Sequence, residues 1–92
     1  MTNKEIIDET AEIYEQEFLK ADGFDEAFIG VSNRSHLNTA EFVLVYSIKK
    51  CIEILIHRDG MDYETAREYF DFNVIGAYVG KLTPMFVDDE MF

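Results

Sequence analysis

Hydrophobic positions in the first part of the chain recur at helical spacing. Between residues 3 and 21 they fall on one side of a helix, with charged residues on the other. Thr2 or Asn3 is placed to cap this helix, and Gly23 is placed to end it. The pattern therefore predicts a first helix over residues 3–21. Its apolar side consists of Ile6, Ile7, Thr10, Ile13, Tyr14 and Phe18.

Two short segments that follow are rich in β-branched and aromatic residues. Residues 24–31, FDEAFIGV, and residues 42–46, FVLVY, have the length and composition of strands. The second is apolar throughout, which is typical of a central strand. The polar stretch between them, SNRSHLNTAE at 32–41, contains turn formers and predicts a loop.

The helical spacing then returns twice. Ser47 precedes an apolar pattern that runs to Arg58, and Gly60 follows as a helix-ending residue. Asp62 precedes a third helical pattern over residues 63–79. Only three residues separate the two patterns, so a helical hairpin is expected.

The end of the chain predicts one more strand and completes the fold. A Thr83-Pro84 pair breaks the third helix, and residues 84–87, PMFV, have the composition of a short edge strand. Residues 88–92 form an acidic tail that we expect to fray. The predicted order is α-β-β-α-α-β in one domain, 1–92, which is an α+β fold with helices on one face of a three-stranded sheet.

A polar residue and two glycines interrupt the apolar third helix. Asn73 lies on its apolar face, and Gly76 and Gly80 border that face. Buried polar groups are normally paired, so we expect Asn73 to bond a buried backbone group while the glycines let another element approach. The alternative is that Asn73 lines a small cleft with Tyr69 and Tyr78. The last turns are apolar nearly all round, which predicts burial within the domain or against a second copy, as in a homodimer.

The charge of the chain restricts its partners. The 92 residues include 19 acidic and 8 basic ones, for a formal net charge of −11, and 48% are hydrophobic. Such a chain can pack a core, but its charge repels nucleic acid and anionic lipid. Its N-terminal residues are too charged for a signal peptide, and its apolar runs are too short to span a bilayer. Together with the single cysteine, Cys51, this predicts a reducing cytoplasm.

The residue types that usually carry catalysis do not form a recognisable motif. His36 and His57 have no second ligand at helical spacing, and Cys51 shares a helix face with apolar residues. The stretch HRDGMDYE lacks the alternating ligands of a calcium loop. We therefore predict no catalytic residue, no metal and no cofactor, and we lean against an enzyme.

The strongest candidate site is the charged side of the first helix, which we call the acidic face: Glu5, Asp8, Glu9, Glu12 and Glu15. Neighbouring carboxylates on a helix repel one another by about 0.2–0.5 kcal/mol per pair. No cation is interleaved, since Lys4 and Lys20 lie at the ends. One interpretation is a solvated surface, and the other is a contact for a basic protein partner.

The central and C-terminal motifs resemble a family of small proteins encoded largely by tailed phages. The match covers roughly residues 23–87. It comprises GFDEAFIGV, then Y-x(4)-C within YSIKKCIEIL, then RDGM, and finally EYFDFNVIGAYVGKLTPMF. The family's glycine-containing loop after the first strand is not matched by SNRSHLNTAE. The resemblance implies a viral origin and this fold, and it carries over no catalytic residue.

Two functional hypotheses follow. The first is a small acidic phage protein that binds a host or phage protein with a basic surface in the host cytoplasm, in host takeover or counter-defence. The alternative is a small-ligand-binding protein or enzyme with a cleft near Tyr69, Asn73 and Tyr78.

Overall fold

A computed structural model describes residues 2–33, 42–76 and 83–88. The order α-β-β-α-α-β and the α+β class predicted from the sequence are confirmed. A 3-10 turn, Asp25–Ala27, precedes the first strand, and a π-helical segment, Phe70–Ile75, continues the third helix. The elements are α1 (Asn3–Tyr14), β1 (Phe28–Asn33), β2 (Phe42–Ser47), α2 (Ile48–Asp59), α3 (Tyr63–Tyr69) and β3 (Met85–Val87).

In the described part of the chain, the strands form one mixed sheet in the order β1-β2-β3. β1 pairs antiparallel with β2, with Val31 opposite Leu44. β3 pairs parallel with β2, with Phe86 opposite Tyr46. The apolar β2 is therefore central, as its uninterrupted hydrophobic run predicts.

The hydrophobic core lies on one face of this sheet. Tyr46 is fully buried at its centre, and its ring centroid lies 5.7 Å from that of Phe86. Its hydroxyl accepts a hydrogen bond from the N–H of Ala21 at 3.1 Å, which attaches the segment after α1 to the sheet. All three helices contribute to the core, so they pack on this face of the sheet. The main cluster of buried residues is Ile7, Phe24, Ala27, Leu44, Tyr46, Cys51, Ile52, Leu55, Ala66 and Phe70, and Val43 is fully buried outside this cluster.

The caps predicted for α2 and α3 are confirmed. The Ser47 hydroxyl accepts from the Lys50 N–H at 3.2 Å, and Gly60 ends α2 with a left-handed φ of 70°. The Asp62 carboxylate accepts from the Thr65 N–H at 2.8 Å, which lowers the pKa of Asp62. Such caps satisfy backbone groups that the helix leaves unpaired.

The first helix is shorter than predicted. α1 ends at Tyr14, and Glu15 follows in the left-handed conformation, φ 51°. Gly23, with φ 85°, lies in a later turn and does not end the helix. The cause is a long-range contact: the Gln16 amide donates to the Phe42 carbonyl at 2.7 Å and accepts from the Phe42 N–H at 3.4 Å. Gln16 thus bonds the start of β2, which requires the chain to leave the helix.

The first strand also starts later than predicted. Residues 25–27 form the 3-10 turn, so β1 begins at Phe28 rather than residue 24. A β-bulge between Phe28 and Gly30 shifts the register. Ile29, which the bulge leaves without a partner in β2, is 42% exposed.

The predictions for Asn73 and Gly76 as buried residues are wrong, since both are exposed. The helix changes after Tyr69 to π winding. Bonding from i to i+5 widens the turn, so later residues rotate away from the positions that an α-helical wheel assigns. Phe70 is buried while Phe72 is 81% exposed. The end of the helix near Val79, Gly80 and most of the acidic tail lie outside the described residues.

Gly76 still has a steric role, which predicts a substitution effect. A Cβ at Gly76 would lie 2.8 Å from the Phe72 carbonyl oxygen, closer than real contacts allow. We expect Gly76→Ala to lower the free energy of unfolding by about 1–3 kcal/mol, because the backbone must shift. Gly30→Ala is the control, since nothing lies within 4 Å of a Cβ there. Urea unfolding measures both variants, and equal stabilities would contradict this account.

Candidate functional site

The acidic face of α1 is exposed to solvent. All five of its carboxylate residues have exposed side chains, whereas Ile7 on the other side of the helix is buried in the core. The helix therefore docks through part of its predicted apolar side, with Ile7 in the core. Glu5, Asp8, Glu9 and Glu12 lie within α1, whereas Glu15 follows the helix in the left-handed conformation and is also exposed.

Some of these carboxylates have internal partners. Asp8 forms an ion pair with Lys20 at 3.0 Å between two half-exposed side chains. The Thr2 hydroxyl accepts from the Glu5 N–H and donates to the Glu5 carboxylate, each at 3.2 Å. Within the described residues, no ion pair involves Glu9 or Glu12. Their charge is therefore the part of the acidic face that is most available to a partner.

An apolar side chain borders the acidic face. Ile13, predicted to lie on the buried side of α1, is 76% exposed. At about 100° per residue, Ile13 lies about 40° around the helix from Glu9. Because α1 stops one residue later at Tyr14, the chain turns and Phe18 reaches the core from the following segment. Ile13 is left as an aliphatic group beside carboxylates.

A cavity of about 200 Å³ lies between the segment after α1, the π-helical segment and the start of β3. Its apolar walls include Phe24, Val74 and Phe86, and its rim includes Asp22 and Asn73. The described residues that line it are Lys20, Ala21, Asp22, Phe24, Asn73, Val74, Thr83, Pro84 and Phe86.

This cavity overlaps the predicted cleft at one residue. Asn73 lines it, Tyr69 is exposed but not in its lining, and Tyr78 lies outside the described residues. Sequence reasoning missed the other lining residues, because three separate segments supply them. Only the spatial pairing of β2 with β3 brings Phe86 near Phe24, and no local pattern reveals it.

An arginine holds one wall of the cavity in place. The Arg58 guanidinium lies 5.6 Å from the centre of the Phe24 ring and donates to the Gly23 carbonyl. It also bonds both carboxylate oxygens of Asp59 at 3.0 Å, which lowers the pKa of Asp59. Because Arg58 is in α2, these contacts tie the segment that carries Phe24 to a regular helix.

The remaining candidates for chemistry do not assemble into a reactive centre. Cys51 is fully buried, and desolvation raises the pKa of its thiol to about 12, which disfavours the nucleophilic thiolate. His57 is exposed, and His36 lies outside the described residues. No group of three or more His, Cys, Asp or Glu residues in ranges 2–33, 42–76 and 83–88 is arranged to hold a metal ion.

No helix in the described segments is both long enough and apolar enough to cross a bilayer.

In comparisons with known proteins, no family model, curated protein or solved structure matches the chain.

Proposed function

We propose that this protein acts by binding another protein, and that the contact is the acidic face of α1 with Ile13 at its border. The supporting observation is the combination of exposed carboxylates and an exposed aliphatic side chain on one helix. Interfaces commonly pair an apolar anchor with a polar rim. The partner has a basic surface, because opposite potentials attract and orient the two proteins.

The charge distribution supports such a contact energetically. Like charges on α1 repel in the free protein, and a cationic partner relieves that repulsion. The net charge of −11 extends the attraction beyond the contact and speeds association at low salt. The same field opposes direct binding of nucleic acid.

The resemblance to tailed-phage proteins supports a viral setting for this binding. In that setting the partner is a host or phage protein in the host cytoplasm, and the binding serves host takeover or counter-defence. This part of the proposal rests on the motifs in residues 23–87.

The second candidate is a small-ligand-binding protein or enzyme, and the cavity beside Asn73 is the observation that favours it. Its volume of about 200 Å³ is below the range of about 300–1,000 Å³ in which ligand sites usually fall. Cys51 is buried and does not line the cavity, so it cannot serve there as a nucleophile. The size therefore favours protein binding over binding of a drug-sized ligand or cofactor.

The proposal is tested by replacing Glu5, Glu9 and Glu12 with Gln. The wild type and this acidic-face variant are used to capture proteins from a bacterial lysate at low and high salt. We expect a basic protein that wild type retains at low salt and releases at high salt, and that the variant fails to retain. The free energy of unfolding should change little, because relief of like-charge repulsion offsets the loss of the Glu5 charge in the first turn of α1.

A second triple variant gives the matched control. Glu53, Glu64 and Glu68 are exposed and lie outside α1, and replacing them with Gln removes the same charge. This control variant should capture the partner as wild type does. Equal capture by all three proteins would overturn the acidic face as the contact.

A further inference from the structure

We propose that the cavity beside Asn73 is an anchor pocket for one large apolar side chain of the partner, flanked in that partner by lysine or arginine. This inference rests on the proposed function, because it assigns the cavity to the same partner as the acidic face. It adds a second recognition element and states the chemistry of the segment that binds there.

The walls of the cavity suit an apolar group. Phe24 is nearly buried and is held by Arg58, while Phe86 contacts the rings of Tyr46 at 5.7 Å and Phe70 at 5.4 Å. The aromatic walls are therefore fixed by the core and do not need to form on binding. An apolar side chain that enters loses contact with water against preorganised walls, which favours binding.

The size of the cavity suits one amino-acid side chain better than a larger ligand. Its volume of about 200 Å³ far exceeds the space of about 10–15 Å³ that one water molecule requires. It is nevertheless smaller than typical sites for drug-sized ligands and cofactors. One aromatic or long aliphatic side chain is the occupant that matches both limits.

Acidic residues near the cavity favour a partner in which Lys or Arg residues flank the apolar side chain. Asp22 and Lys20 both line the cavity, and the Lys20 ammonium is already paired with Asp8 at 3.0 Å. Among the described residues, Asp22 takes part in no ion pair. Since Asp8 belongs to the acidic face, the Asp8–Lys20 ion pair joins that face to the cavity. A single basic segment can therefore contact the acidic face while its apolar residue enters the pocket.

The test uses three synthetic peptides of one length, with binding measured by fluorescence anisotropy. The first is rich in Lys and Arg with one central Phe, the second has Ala in place of Phe, and the third keeps Phe but has Gln in place of every Lys and Arg. We expect the first to bind wild type about tenfold or more tightly than the second, as burial of a Phe side chain implies. The third should bind more weakly than the first and without its salt dependence.

Two variants test whether the tighter binding of the Phe peptide than of the Ala peptide arises at the cavity. Asn73 is exposed at the rim, so Asn73→Trp should fill the cavity without disturbing the core and should abolish the difference between the Phe and Ala peptides. Phe72→Trp adds a Trp at a position that is 81% exposed and outside the lining, and it should keep the difference. Circular dichroism confirms that each variant is folded. A Phe preference that survives Asn73→Trp would overturn the pocket assignment.

The other outcomes separate the pocket from the proposed function. Salt-sensitive binding of the Phe and Ala peptides with equal affinity would overturn the pocket but keep the acidic face as a contact. Replacing Glu5, Glu9 and Glu12 with Gln should weaken both basic peptides while preserving their ratio. If neither basic peptide binds, both proposals fail. Binding of free benzyl alcohol in the cavity without binding of either basic peptide would instead assign the cavity to a small ligand.

Discussion

Phe70→Ala is expected to lower the free energy of unfolding by about 3–5 kcal/mol, the usual cost of truncating a buried aromatic residue. Phe70 has no solvent exposure and packs edge-on against Phe86, with ring centroids 5.4 Å apart. The truncation removes apolar contacts and leaves a cavity between the π-helical segment and β3, because packed neighbours relax only in part.

Phe72→Ala is the matched control for this prediction. Phe72 lies two residues away in the same segment but is 81% exposed, so its truncation should change the free energy of unfolding by less than about 0.5 kcal/mol. Urea unfolding of both variants gives the comparison. Similar costs at both positions would contradict the burial of Phe70 and the exposure of Phe72.

Cys51 in the folded protein is expected to react with a thiol reagent at least about a thousandfold more slowly than in the unfolded chain near pH 8. Burial raises the pKa of its thiol from 9.0 to about 12, which lowers the thiolate fraction about a thousandfold. Full burial of the side chain hinders the reagent further. Labelling with and without urea measures the ratio, and equal rates would show that Cys51 is accessible.

The same pKa shift predicts how stability depends on pH. Because the folded-state pKa is raised, the folded protein keeps the Cys51 proton between pH 9 and about 12 while the unfolded chain loses it. Stability is therefore unaffected well below pH 9 and falls as pH rises through this window, by up to about 1.4 kcal/mol per pH unit. Burial also raises the pKa of Tyr46, which adds a loss of the same sign above pH 10.

Urea unfolding at about pH 8 and about pH 10 tests the pH dependence. For wild type and for Cys51→Ala, the free energy of unfolding at about pH 10 is subtracted from that at about pH 8. This difference cancels the constant loss of stability that the smaller Ala side chain causes. The wild type should lose more stability than the variant over this interval. An identical change in both proteins would remove Cys51 as the cause.

Local signals in the sequence were sufficient for the order of elements and most boundaries. Ser47 and Asp62 are followed by helices whose first backbone groups they cap, and Gly60 adopts the left-handed conformation that ends α2. The apolar run of β2 has the composition of a central strand. Each of these signals consists of residues close together in the chain, so it can be recognised from one sequence.

The features that sequence reasoning misplaced depend on contacts between distant residues or on unusual winding. α1 ends early because Gln16 bonds Phe42, 26 residues away. Asn73 is exposed because the helix becomes π-helical after Tyr69, which an α-helical wheel does not anticipate. The cavity depends on β3 pairing with β2, so its lining could not be assembled from spacing along the chain.

The central claim, that the acidic face attracts a basic partner, is tested most directly by the association rate with the captured protein. It is measured for wild type, the α1 triple variant (Glu5, Glu9 and Glu12 to Gln) and the control triple variant (Glu53, Glu64 and Glu68 to Gln). Salt is varied from about 0.01 M to about 1 M, where the screening length falls from about 30 Å to about 3 Å.

We predict that at low salt the α1 variant associates about tenfold or more slowly than wild type, with a flatter salt dependence. The control variant should stay close to wild type, because its missing charges lie outside the contact. Equal low-salt rates for wild type and the α1 variant would contradict the account and remove the acidic face as the binding surface.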